Sequence, residues 1–244
     1  MKLYTLGTSH GATEKGRACS CNLITVNGAS YLFDCGGNTE GKMTDMGLDI
    51  SSIRAAFISH MHEDHAGSLS AIVKRFAHYI PEKKTLKMFL PEQNGIDAFK
   101  NWLIALHADL SRNDFQFILT KAGEIYRDEN ITVTAIPTKH IENGKFESFA
   151  FDIKAGDKRF LYTGDLAPSF CDYPQVLLEE EFDTVLCELV HFNVEKNLPM
   201  ICKTKTRRLV FTHMGLHNIP IINNVLDKFP FEVCIAHDGA EFEI

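Results

Sequence analysis

Residues 58–67 read ISHMHEDHAG, which places His60, His62, Glu63, Asp64 and His65 within six positions, directly after an apolar run. Imidazole and carboxylate are donors that zinc accepts, and a catalytic zinc keeps one position open for water. His60 and His62 are two apart, so on an extended segment their rings project to the same side. Asp64 and His65 follow where the chain must turn. One metal could not easily use all four donors. Two adjacent metals could, with His60 and His62 on one and Asp64 and His65 on the other. A polar loop with exposed histidines accounts for a single His-x-His pair, but not for His-x-His-x-Asp-His between a strand and a helix start.

Four donors do not complete two sites, so the elements must deliver others. The run IRAAFIS reads as a buried strand ending at Ser59. A helix is expected to begin near Ala66, because Leu69, Ile72, Val73 and Phe76 recur at helical spacing. Ligands in α/β folds gather at the carboxyl ends of strands. His140 follows ITVTAIPTK, Asp165 follows RFLYTG and His213 follows RRLVFT, each just past an apolar run. Together they are candidates for the rest of the shell.

Elsewhere, KLYTLGT is expected to be a strand, and Asn27-Gly28 to turn a hairpin inside CNLITVNGASYLFDCGG. TLKMFLP, FQFIL and ITVTAIP read as strands, and residues 92–108 as a helix. FESFAFDIKAGDKRFLYTGD reads as two strands turning at Gly156-Asp157. FDTVLCELV, RRLVFTH and FEVCIAHDGAEFEI add more strands, with a helix expected at 219–228. Strands outnumber helices, which predicts an α/β (α+β) architecture of layered sheets with helices outside.

The chain has 244 residues, 45% of them hydrophobic and 23% charged, and no break in composition, so a single domain over 1–244 is expected. The net charge of −7 argues against a non-specific nucleic-acid or anionic-membrane binder. No apolar run approaches the ~20 residues that span a bilayer, and MKLYTLGTSHG has no signal-peptide core, so the expected location is cytoplasmic. The seven cysteines are scattered and lack a CxxC pair, which fits free thiols.

The His-x-His-x-Asp-His motif resembles the second motif of the metallo-β-lactamase superfamily. His140, Asp165 and His213 match, in order, the lone His, Asp and His that follow it there. Asp34, in YLFDCGG, matches the supporting aspartate of the first motif. The resemblance implies a four-layer αβ/βα sandwich and two Zn²⁺, with Mn²⁺ or Fe²⁺ as alternatives. One ion would be held by His60, His62 and His140 and the other by Asp64, His65 and His213. Asp165 would bridge both, with a shared hydroxide.

His62 stands where the di-iron electron-transfer branch has Glu, and Asp165 where true β-lactamases have Cys or Ser. The opening LYTLGTSHGATEKGRACSCNLITVNGASYLFDCGG, with FTHMG and AHDGAEFEI near the end, is similar to ribonuclease Z and to the phosphodiesterases associated with carbon–phosphorus lyase. Ribonuclease Z carries His-Glu-Ala-Thr where this chain has CELVHF, retaining Glu188, and no His-Ser-Thr follows. The tight turn in 152–164 leaves no room for a tRNA-binding arm. The expectation is therefore a zinc phosphodiesterase acting on a small phosphodiester or nucleotide, with tRNA disfavoured and a homodimer allowed. Asp64 would orient the hydroxide and His191 would protonate the leaving group; His237 and His10 are rival proton donors, and substrate contacts otherwise. An acyl hydrolase (thioesterase or lactonase) and a mono-iron persulfide dioxygenase are the alternatives on this fold.

Overall fold

Tyr31 and Phe33 point to one side of their strand and Leu32 to the other, and both sides are packed with apolar residues. A strand of this kind must be covered on both faces. The structure, a computed structural model, describes residues 1–244 apart from the side chain of Asn143. The first sheet contains β1 (Lys2–Gly7), β2 (Cys21–Val26), β3 (Ala29–Cys35), β4 (Ile53–Phe57), β5 (Thr85–Leu90) and β6 (Asp114–Leu119). The second contains β7 (Gly123–Arg127), β8 (Thr132–Pro137), β9 (Phe149–Ala155), β10 (Lys158–Tyr162), β11 (Phe182–Glu188), β12 (Thr206–Thr212) and β13 (Glu232–Ile235). The last strand, β14 (Ala240–Glu243), returns to pair with β1. The spatial orders are β14-β1-β2-β3-β4-β5-β6 and β13-β12-β11-β10-β9-β8-β7.

Tyr31, Phe33 and Phe57 from the first sheet and Phe151, Phe160 and Tyr162 from the second form the core between the sheets. Phe33 and Phe57 stack at 5.0 Å, and both meet Phe151 across the gap, at 5.7 and 5.9 Å. Such aromatic pairs add roughly 0.5–1.5 kcal/mol each beyond their buried area. Outside the first sheet lie α1 (Thr39–Asp45), α2 (Glu63–Ala66), α3 (Leu69–Tyr79) and α4 (Gln93–Ala105). Outside the second lie α5 (Val176–Glu179), α6 (Val194–Ile201) and α7 (Ile219–Asn223). This is the four-layer αβ/βα sandwich. Among the described residues, no helix is long and apolar enough to cross a membrane.

Several local expectations change. The helix expected near Ala66 is preceded by a separate turn, α2, which begins at Glu63, so Asp64 and His65 are helical. The helix expected over 219–228 ends at Asn223 and resumes as a 3₁₀ turn at Leu226–Lys228. Four elements had no clear sequence signal. They are α1, β7, α5 and α6, the last with Pro199 in its interior.

β3 to β6 run parallel to one another, as do β10 to β13. The loops that leave these parallel strands at their carboxyl ends carry most of the residues of interest.

Candidate metal centre

Asp34 lies at the end of β3, and residues 60–65 follow β4. His140 follows β8, Asp165 follows β10, Glu188 ends β11 and His213 follows β12. The seven candidate ligands fall into overlapping donor groups: His60, His62 and His140; His60, His65 and Asp165; and Asp64, His65 and His213. Asp165 Oδ2 is the shared point. It lies 3.7 Å from His60 Nε2, 3.6 Å from His140 Nε2, 3.4 Å from His65 Nε2 and 3.3 Å from His213 Nε2. On one side of it, His62 Nδ1 is 3.0 Å from His60 Nε2 and 3.4 Å from His140 Nε2. On the other, Asp64 Oδ2 is 3.3 Å from His65 Nε2 and 3.8 Å from His213 Nε2. Donors about 2.1 Å from a tetrahedral zinc are roughly 3.4 Å from one another.

Hydrogen bonds behind the rings set which nitrogen faces inward. Asp34 is fully buried and accepts from the Ser59 N–H (2.7 Å), the Ser59 hydroxyl (2.8 Å), the Tyr162 hydroxyl (2.6 Å) and His65 Nδ1–H (2.6 Å). Because the Ser59 proton goes to Asp34, Ser59 Oγ is left to accept from His60 Nδ1–H at 3.0 Å. His140 Nδ1–H can only donate to the Leu166 carbonyl, 3.4 Å away. All three rings therefore turn an unprotonated Nε2 toward the cluster. His65 Nε2 is buried there with no hydrogen-bond partner among the described residues. Lone pairs converging at such distances repel unless a cation lies between them, so this donor set fits divalent metal ions.

The charges agree. Burial holds His60 well below its ordinary pKa, and the neighbouring His65 lowers it further. Burial would also lower His65, but Asp165 and Asp34 hold it well above its usual value. Burial would raise Asp165, yet His213 and His65 keep it well below the usual carboxylate range.

The backbone is specialised to reach this arrangement. Asp34 and His213 both have positive φ, 61° and 47°, which is uncommon for residues with a side chain. A Cβ on Gly36 would sit 1.6 Å from the Asp64 carbonyl oxygen, so the glycine lets α2 lie directly on the end of β3.

His191 adjoins the cluster, with Nδ1 3.7 Å from Asp165 Oδ2 and 3.1 Å from Glu188 Oε1. Glu188 is fully buried and also accepts the backbone N–H groups of Leu166, Val190 and His191 at 3.1, 2.6 and 3.0 Å. Partial burial would lower His191, but the Glu188 hydrogen bond and charge, with Asp165, hold it above the usual imidazole value. His10 instead lies 3.6 Å from Glu14, and His237 is exposed with Nδ1 on the Asp238 carbonyl. Among the described residues, neither belongs to a donor group. The structural parts of Ser59, Tyr162 and Glu188 were not apparent from the sequence. Only Glu188 carried a signal, its place in CELVHF.

A family model described as anti-Pycsar protein Apyc1 matches residues 1–204. The chain belongs to this family. Within the Apyc1 family match lie all the candidate ligands but His213. Ribonuclease Z of Shouchella clausii is 30% identical over 161 residues, covering 65% of this chain and 49% of that one. The chain thus spans about half the length of the curated relatives it matches. Human tRNase Z, short form, superposes with a TM-score of 0.79 at 20% identity, covering 100% of this chain and 99% of that one. A diphosphatase from the PhnP family gives 0.73 at 15% identity, with 100% and 97% covered. The metallo-β-lactamase fold protein YhfI of Bacillus subtilis gives 0.77 at 20% identity, with 100% and 99% covered, which establishes that fold for this Apyc1-family chain.

Proposed function

We propose that residues 1–244 form one metallo-hydrolase domain, a two-zinc phosphodiesterase that acts on a small phosphodiester or nucleotide. The observation that carries this reading is Asp165 Oδ2, set 3.3–3.7 Å from imidazole nitrogens of both ligand triads. His60, His62 and His140 would hold one ion, Asp64, His65 and His213 the other, and Asp165 both. When bound, a metal pair of this kind lowers the pKa of a water toward neutrality and offsets charge on phosphoryl oxygens.

The protein's own groups do the rest. Asp64 turns one oxygen to the cluster and orients the attacking water. His191 gives Nδ1–H to Glu188, so Nε2 is the nitrogen that can hand a proton to the leaving oxygen. One P–O bond forms from water as the other breaks, the departing alkoxide leaves as an alcohol with the His191 proton, and the proton released by the water passes to solvent, from which His191 is reprotonated. A small substrate is favoured over tRNA by the net charge of −7 and by the β9–β10 connection, only Gly156 and Asp157 long. Relatives support phosphorus chemistry, since they are named ribonuclease Z and a PhnP-family diphosphatase.

Metal analysis joined to a three-substrate assay tests the reading. Two zinc ions per chain and hydrolysis of bis-p-nitrophenyl phosphate are expected. Preferred turnover of a thioester or lactone would replace it with an acyl hydrolase, and one iron with no zinc would replace it with an oxygenase.

A further inference from the structure

His140 and Asp165 leave β8 and β10, which are not neighbours, because β9 lies between them. Strands two places apart in a sheet are roughly 9–10 Å apart. Yet His140 Nε2 lies 3.6 Å from Asp165 Oδ2. The strands do not create that approach, so the loops must. One side chain joins them. Asp172 Oδ2 accepts the Lys139 N–H at 2.6 Å, and both its oxygens accept the Ala167 N–H at 3.0 Å. Lys139 precedes His140, and Ala167 is two residues past Asp165. Among the described residues, the remaining cross-link is the weaker His140 Nδ1–H bond to Leu166, at 3.4 Å.

The triad that Asp172 serves is also the less enclosed one. His62 is exposed and His140 half-buried, whereas Asp64, His65 and His213 are all buried. The buried triad has its own supports, with Asp34 behind His65 and the His213 carbonyl accepting the Leu189 N–H.

We propose that Asp172 is a positioning residue that sets the distance between the His140 and Asp165 loops. It thereby controls affinity for the metal held by His60, His62 and His140, leaving the other metal nearly unaffected, because the Asp165 loop stays anchored by the Leu166 N–H bond to Glu188 while the His140 loop is released. The inference rests on the two-metal reading given above. Removing a partner that orients a metal ligand typically weakens binding about 10- to 100-fold.

Titration of metal-stripped protein with Zn²⁺, followed by calorimetry, tests it. The parent should bind two equivalents in two classes. Asp172→Ala should weaken one class at least about tenfold and leave the other within about twofold. Asp172→Asn, whose carbonyl oxygen in the Oδ2 place can still accept the Lys139 N–H while its NH₂ opposes the Ala167 N–H, should recover part of the loss. Equal weakening of both classes, or none, overturns the proposal. If Asp172→Ala does not fold, an Asp172→Asn protein with two parental affinities overturns it as well. A parent that binds a single equivalent overturns the two-metal reading itself, a separate outcome.

Discussion

Asp34→Asn changes one atom and should be costly. Asp34 Oδ1 accepts the Ser59 N–H, while Oδ2 accepts the hydroxyls of Ser59 and Tyr162 and His65 Nδ1–H. An asparagine amide must point its NH₂ at one of these two sets of donors. If it replaces Oδ1, it faces a backbone N–H that cannot rotate away. If it replaces Oδ2, it faces the His65 proton and two hydroxyls. The first arrangement is cheaper and loses one charge-assisted bond, about 1.5–3 kcal/mol. The other three bonds weaken, but a charge no longer has to be buried, and these effects oppose each other. A net destabilisation of roughly 2–3 kcal/mol follows, or about 4–12 °C in Tm for a chain of this size. Metal affinity should also fall about 10- to 100-fold, because a neutral amide oxygen, though it still accepts His65 Nδ1–H, leaves that ring a less basic ligand than a carboxylate does. Thermal melts of metal-stripped protein and a zinc titration measure both. A variant that melts within about 2 °C of the parent and binds zinc equally well would refute the hydrogen-bond account of Asp34.

Three other outcomes are expected. His191→Ala should lose about 10²- to 10⁴-fold in kcat on an alkyl phosphodiester but far less on bis-p-nitrophenyl phosphate, whose phenolate departs without a proton; equal losses would remove His191 as the acid. Gly36→Ala should cost about 3 kcal/mol or more and abolish zinc binding, since its Cβ meets the Asp64 backbone at 1.6 Å; soluble, zinc-binding protein would contradict that packing. Burial would raise Asp128, but hydrogen bonds from the Tyr31 hydroxyl, the backbone of Ile131 and Asn130, and the Tyr126 hydroxyl hold it below its ordinary value. Its folded pKa is thus depressed, so its stabilisation is full above the unfolded carboxyl value of about 3.9 and fades as pH falls through the folded one. Urea melts should therefore show Asp128→Asn destabilised at neutral pH, with the gap to the parent closing below about pH 4.

The candidate ligands were legible because metals demand particular donors at strand ends, and a strand end can be read from an apolar run stopped by polar residues. His140, Asp165 and His213 each had that mark, and the structure brings them to the 60–65 turn. The supports were not legible. Tyr162 reads as one more apolar position of β10, and nothing in its neighbours says that its hydroxyl meets a carboxylate 128 residues away. Ser59 reads as the end of a strand. The start of α2 at Glu63 was hidden because a four-residue helix has no periodicity to detect. Asp34 shows a similar limit. Its φ of 61° breaks the alternation of β3, so Leu32 and Cys35 face the same side, which no period-two pattern predicts.

The two sheets contribute jointly to the centre. The first supplies Asp34, His60, His62, Asp64 and His65, and the second supplies His140, Asp165, Glu188, His191 and His213. Each proposed ion would therefore take donors from both, His140 joining His60 and His62, and His213 joining Asp64 and His65. A cation in either place would tie one sheet to the other at the end where their aromatic core stops. Binding energy there would become folding energy, worth about 2.7 kcal/mol when free metal is at 100 times its Kd. The division also separates roles. His191 and its holder Glu188 belong with the Asp165 loop, through the Leu166 N–H, and have no bond to the 60–65 turn among the described residues. The proposed proton donor is thereby referenced to the Asp165 carboxylate, so a shift of one sheet against the other would carry His191 and Asp165 together and preserve their spacing.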